Sequence, residues 1–330
     1  MRPSLLCRRQ VLAGGAAMLA APAIAQARMR VRLGYLHVVA VDGQILTGLD
    51  RGTFDKQGID FELVARDTGP EVFEALARGE VDMLSAGGVI SNYLAFGAGR
   101  GFLINDIEIA TAQLWVRPDH GVRTIADLRG RRIATTTRTT AHIFLYRALR
   151  ANGLHFADVQ VVNSSMPQAV SAFIAGEVPA VALWVPFNLS VRDRLPEALK
   201  LADASAFYPQ SAVVGGWVTG HQYHAANREV LQRVIRGWAE ANDYMVRHPK
   251  AAAEALQQRH YQRASIADMA EILAAQKMFS SREWKRLYAD GSVVRWLQQV
   301  SDFFVAEAAA ASSVPAKDYF DADLYRTTLN

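Results

Sequence analysis

The chain of 330 residues has one cysteine, 9% aromatic residues, 21% charged residues and, past its first segment, no hydrophobic run long enough to cross a membrane. A single thiol excludes an internal disulfide and a multi-cysteine zinc site. The moderate charge beside 51% hydrophobic residues excludes a disordered chain. The motifs GxSxG, HExxH, CxxC and GxxxxGK[ST] are all missing. The common serine-hydrolase, zinc-protease, thiol-redox and P-loop chemistries are therefore without support. Basic residues are scattered and form no stripe interleaved with aromatics, which argues against a nucleic-acid partner. Gly97-Ala98-Gly99-Arg100-Gly101 lacks the spacing of a dinucleotide loop and reads as a surface turn. His221 and His224 have no third metal ligand nearby and read as a pair at a helix entrance. Neither cofactor nor metal is expected.

What is present begins with an address. Residues 1–27 place Arg8-Arg9 before a small-residue apolar run, Val11 to Ala21, then Pro22 and a small-x-small ending at Ala25-Gln26-Ala27. This is the order of an export signal of twin-arginine type, cleaved near Ala27, and it directs the protein to the periplasm. The run is too short for a span of about 20 residues, and Cys7 precedes it, unlike a lipoprotein cysteine. The segment holds three arginines and no acid, so residues 28–330 carry 33 basic against 32 acidic residues. The formal charge of +4 thus belongs mostly to the signal, and the only cysteine lies there too.

The remainder alternates strands with helices twice. Val31–Leu36, Ile59–Ala65 and Val81–Ala86 read as strands, separated by helices over Asp42–Lys56 and Pro70–Arg78. The order returns with strands Arg132–Thr136, Val159–Asn163 and Pro179–Val185 and helices Thr140–Ala151 and Gln168–Ala175. GPEVFEALARGEVDMLSAG from Gly69 aligns without a gap on MPQAVSAFIAGEVPAVALW from Met166, an offset of 97 residues. Two similar α/β lobes follow, each a doubly wound, mostly parallel sheet. Ala110–Val116 reads as a crossover strand, and Ala212–Val218 as the return. Thr124-Ile-Ala-Asp127 predicts a capped turn closed by Gly130. The C-terminal third is helical, with Asn227, Ser265-x-x-Asp268 and Ser280-x-x-Glu283 as helix starts and a last helix from Ser292 to about Ala311. We place residues 28–112 with 215–330 in one lobe and 113–214 in the other.

Candidate binding residues gather where strands run into helices. RRIATTTRTTAHIFLYRAL enters a helix through five threonines. Thr139 or Thr140 can cap it, while Thr140, Ala141 and His142 present first-turn N–H groups at the positive end of the helix dipole. Arg138 can add a charged donor. The matching junction, Ser85-Ala86-Gly87-Gly88-Val89, lets a backbone approach closely at Gly87 and Gly88. Two such junctions facing each other would form an anion clamp. Strand ends supply Tyr35 and His37, and Trp184, Pro186 and Phe187, where open α/β sheets bind ligands. Trp217, in the returning strand, joins the candidate lining.

These residues also carry a resemblance. VRLGYL, GTFDKQGIDFELV and GPEVFEALARGEVDMLSAG resemble the first lobe of the periplasmic solute-binding proteins of the sulfonate/nitrate/taurine import family (NMT1/THI5-like). TIADLRGRRIATTTRTTAHIFLYRALRANGL, AVSAFIAGEVPAVALWVPF and the tail PAKDYFDADLY resemble its second lobe and its ending. The resemblance implies a type II periplasmic binding fold that closes on a small anion and delivers it to an ABC permease and its ATPase. It implies an aliphatic sulfonate such as taurine, and a monomer without enzymatic activity. It assigns head-group contacts to Thr139, Thr140, Ala141 and His142, and the cleft lining to Trp184, Tyr35 and His37. The chain departs from the family at Leu36-His37, where Gly-Gln types are usual, and at Arg138, where glycine is common. Nitrate, an aromatic carboxylate and a thiamine-pathway pyrimidine are the alternative ligands.

Overall fold

The computed structural model describes residues 28–307 and 310–329; the export signal expected at residues 1–27 lies outside the described residues. The chain begins β1 (Met29–Leu36), α1 (Val39–Asp50), β2 (Ile59–Arg66), α2 (Gly69–Ala77), β3 (Met83–Ala86), α3 (Ile90–Ala95) and β4 (Arg100–Ile107). It then crosses to β5 (Ala112–Val116), β6 (Arg132–Thr135), α4 (Thr140–Ala151), β7 (Gln160–Asn163), α5 (Met166–Ile174), β8 (Ala180–Trp184), α6 (Phe187–Arg194) and β9 (Leu199–Asp203). It returns through β10 (Val214–Thr219) to α7 (His221–Ala226), α8 (Arg228–Arg247), α9 (Pro249–Arg259), α10 (Ile266–Ala274), α11 (Ser281–Ala289) and α12 (Ser292–Glu307).

The two sheets have one topology, β2-β1-β3-β10-β4 and β7-β6-β8-β5-β9. In each, three parallel strands continue into an antiparallel strand supplied across the chain: β10 in the first, β5 in the second. The fold is the two-lobed type II arrangement. The offset of 97 residues is structural, since α2 and α5 coincide under it. Each of these helices has proline in its first turn and is followed by a glycine at positive φ, Gly79 at 69° and Gly176 at 81°. Pro fits a turn whose N–H needs no partner, and glycine enters the left-handed region without a Cβ penalty.

Each sheet has its own core. Leu33, Met83, Phe102 and Trp217 are fully buried around the first, and Leu114, Ile133, Phe173 and Ala182 around the second. Full burial of one such large side chain contributes about 1.5–3 kcal/mol. Two smaller clusters join the lobes: Val39, Met245 and Met269 with Val185, and Ile143 with Val213, Val300 and Phe304.

Three local expectations are corrected. β4 and β9 are strands that the alternating pattern did not mark. The turn at Gly97–Gly99 passes directly into β4 at Arg100. Asn227 stands between α7 and α8, and its amide donates to the Tyr223 carbonyl (3.1 Å), so it does not cap α8. By contrast, Ser265 and Ser280 both close capping boxes with Asp268 and Glu283.

Candidate ligand-binding site

The carboxyl ends of β1 and β3 face those of β6 and β8 across a cleft enclosing about 570 Å³ of empty space, its mouth included. Leu36, Val41, Thr68 and Val89 line it from the first lobe, Thr139, Thr140 and Trp184 from the second, and Thr111 from the segment joining β4 to β5. The two strand–helix junctions do meet: a Cβ added at Gly88 would lie 3.2 Å from the Thr140 Oγ1.

The start of α4 is built as an open donor site. Thr139 is extended (φ −122°, ψ 175°), and its hydroxyl donates to the Thr136 carbonyl at 2.6 Å, so it does not cap the helix. The N–H groups of His142 and Ile143 both reach the Thr139 carbonyl (3.1 and 3.2 Å). Those of Thr140 and Ala141 have no acceptor among the described residues. Two orphan donors at a helix N-terminus beside a cleft favour negative charge.

Several expected contacts lie elsewhere. His142 is buried, stacked on Phe156 (4.9 Å between centroids) and edge-on to Phe303 (6.0 Å). Burial first, and the Arg138 charge second, push its pKa down to about 4. Its Nδ1 accepts from the Arg138 N–H at 3.3 Å, so the imidazole is neutral and faces the aromatic cluster, not the cleft. Arg138 is exposed at the rim between α3 and α4, outside the cleft lining, where its charge is felt at Tyr93 and His142. Ser85 is fully buried under the cleft floor; its Oγ donates to the Val41 carbonyl (3.2 Å) and accepts from Asn105 (2.9 Å). Trp217 is fully buried and its Nε1 donates to Asn105 Oδ1 at 2.6 Å; it belongs to the core. Tyr35 and His37 do not line the cleft either. The His37 Nδ1 pairs with the Asp42 carboxylate at 2.6 Å, and the ring stacks on Tyr261. Tyr261 donates to the other Asp42 oxygen, and Tyr35 is half-buried nearby. Pro186 and Phe187 stand behind Trp184, Phe187 edge-on to it at 5.9 Å. Gly87, Thr139, Thr140 and Trp184 remain on the cleft wall; Gly88 and Ala141 lie outside its lining, and the Gly88 N–H donates to Glu108.

The sequence reading missed Glu108. It lies on the segment joining β4 to β5, lines the cleft, and is 5% exposed. Its Oε1 accepts from the Gly88 N–H at 2.7 Å and its Oε2 from the Thr111 hydroxyl at 3.3 Å, and the Thr140 hydroxyl lies close by. Burial raises its pKa against these donors. Asp106, fully buried behind it and next to the Gly215 backbone, is raised further by burial and by Glu108. Two acids in the apolar run FLINDIEIATAQL were the available signal, because buried acids are rare without a specific role.

Two similar α/β lobes, hinged by crossing segments and enclosing a cleft at their strand ends, define a solute-binding protein fold. The chain belongs to the NMT1/THI5-like family, whose model matches residues 43–252. A Brucella abortus protein named as a binding protein is 27% identical over 321 residues, covering 96% of this chain and 98% of that one. An Escherichia coli protein named as aliphatic sulfonates-binding is 28% identical over 182 residues, 53% of this chain and 54% of that one. The alkanesulfonate-binding protein SsuA from Xanthomonas axonopodis pv. citri, solved bound to MOPS, superposes with a TM-score of 0.73 at 23% identity. That match covers 90% of this chain and 99% of that one, and it shows the fold.

Proposed function

We propose that this protein is the periplasmic substrate-binding component of an ABC importer and that it captures a small organic anion, an aliphatic sulfonate such as taurine. The observation that carries the reading is the pair of orphan N–H groups of Thr140 and Ala141 at the start of α4, beside an inter-lobe cleft. The names of the relatives support it. The lobes, 28–112 with 215–330 and 113–214, move as bodies about the crossing segments, and ligand contacts to both favour the closed form. Trp184, with Phe187 behind it, covers the apolar part of the ligand. The loaded protein is a monomer that docks on a membrane permease coupled to an ATPase.

Calorimetric titration and thermal shift with taurine, ethanesulfonate, nitrate and benzoate test this. At least one sulfonate raises the melting temperature and binds with micromolar or better affinity; stabilisation by none of the anions overturns the reading. A second reading, a thiamine-pathway pyrimidine, is favoured by one observation: the charged residue on the cleft wall is an acid, Glu108, and the same wall carries an aromatic, Trp184. In that case a neutral aminopyrimidine outcompetes every sulfonate in the same titration.

A further inference from the structure

We infer that Glu108 reads a second group on the ligand, an ammonium, so that the cleft selects short amino-sulfonates over alkanesulfonates lacking an amine. The inference rests on the sulfonate reading above. Among the residues lining the cleft there is no lysine, arginine or histidine; Glu108 is the charged one. A plain anion entering this cleft would meet two helix-start N–H groups and also a carboxylate, and the repulsion would offset much of the attraction.

The position of Glu108 is built, not incidental. Its backbone N–H donates to the Val213 carbonyl (2.9 Å), tying together the two segments that join the lobes. Gly87 and Gly88 clear the space around it: a Cβ at Gly87 would come within 2.6 Å of Glu108 Oε1, and one at Gly88 within 2.0 Å of Val213 Cγ1. The carboxylate has about four acceptor sites. Gly88 and Thr111 use two and the Thr140 hydroxyl lies close by, which leaves room for a donor arriving from the cleft. An ammonium supplies that donor and the countercharge a buried carboxylate lacks here.

The two poles abut at Thr140. Its hydroxyl lies beside Glu108, while its own N–H and that of Ala141 have no acceptor among the described residues and can serve an anionic head. Amine and sulfonate must therefore be separated by only two or three carbons, which Leu36, Val41 and Trp184 can cover.

The test is calorimetric titration of the exported, full-length protein with pairs that differ only in the amine: taurine against ethanesulfonate, 3-aminopropanesulfonate against propanesulfonate, and β-alanine against propionate. Wild type binds the amine-bearing member at least tenfold more tightly. Glu108→Gln keeps an oxygen for the Gly88 N–H, and brings each pair within about twofold. A wild type that binds ethanesulfonate as tightly as taurine overturns the inference and leaves the sulfonate reading standing. A preference confined to β-alanine over propionate, with no sulfonate bound, overturns the sulfonate reading and keeps the role of Glu108. Binding of none of the six overturns both. Because the wild-type comparison decides these outcomes alone, a Glu108→Gln protein that fails to fold does not remove the test.

Discussion

Arg138 is the only non-glycine residue among those described with a positive φ, 61°. The left-handed region costs a residue with a Cβ about 1–2 kcal/mol, which gives a physical reason why glycine is common at this position in the family. The Arg138 side chain is exposed and makes no hydrogen bond to another side chain among the described residues, so little is lost on its removal. Arg138→Gly is therefore expected to stabilise the protein by about 0.5–1 kcal/mol, the gain being reduced by glycine's greater unfolded-state entropy. Urea denaturation measures it, and a loss of stability would show that the side chain contributes something its exposure does not suggest. His37 gives a second test. Its pKa is raised, chiefly by the hydrogen bond to Asp42, so its folded value lies above the unfolded value near 6.5. Stability from the pair is then fully present below about pH 6.5 and is lost as pH rises through the raised value. Asp42 acts in the same direction: its burial raises its own pKa, and once His37 loses its proton the carboxylate is left buried without a countercharge. The melting-temperature difference between wild type and His37→Gln should shrink steadily from pH 6 to pH 9; a flat difference contradicts the account. At this scale the sequence was only partly legible. It located the strand ends but not the direction of each side chain: Tyr35, His37, Ser85, His142 and Trp217 stand at ligand-binding positions of the fold and turn into Asp42, Asn105 or Phe156 instead. Glu108 lies on the segment joining β4 to β5, and β4 itself carries no alternating pattern.

Elements were read more faithfully than side chains because their signals are local. The span of α4 was predicted without error, and the boxes at Ser265 and Ser280 needed only a four-residue pattern. At α11, Ser280 Oγ accepts the Glu283 N–H (3.3 Å), while the Glu283 carboxylate accepts the Ser280 N–H (2.9 Å). Ser280→Ala removes the first of these and is expected to cost about 1 kcal/mol, read as a lowered urea midpoint with unchanged slope. No change would mean that packing of Trp284 and Tyr288, both buried on α11, holds the helix start unaided. β4 and β9 escaped notice for different reasons. β4 is buried over seven of its eight residues and so lacks alternation, as a central or doubly covered strand should. β9 is an edge strand beside β5, and its LKLAD sequence is too polar and short to stand out. The antiparallel placement of β5 and β10 cannot be read from periodicity, since it depends on which lobe each strand joins after crossing.

The lobes touch beyond the crossing segments, and those contacts bear on how tightly any ligand is held. Arg192 on α6 reaches Asp268 at 2.8 Å and Glu271 at 3.1 Å on α10, while Asn188 donates to Glu271 at 2.8 Å. On the other contact, Ile143 of α4 packs with Val300 and Phe304 of α12. Glu108 meanwhile bonds Gly88 of the first lobe and lies beside Thr140 of the second, so the arrangement seen is one in which the lobes are drawn together. A contact made only in this arrangement raises its population, and apparent affinity scales with that population. Arg192 is 43% exposed, and exposed ion pairs contribute about 0.2–1 kcal/mol. Arg192→Ala should therefore weaken binding of the sulfonate proposed above by about 1.5- to 5-fold without altering the cleft itself, and mainly by faster release. The effect should fade at about 1 M salt, where the screening length falls to about 3 Å, whereas loss of a direct ligand contact would persist. Stopped-flow dissociation at low and high salt separates the two. An Arg192→Ala protein that releases the proposed ligand at the wild-type rate in low salt would show that the α6–α10 bridges survive opening and lie outside the moving surface, leaving the apolar α4–α12 seam as the contact that sets closure.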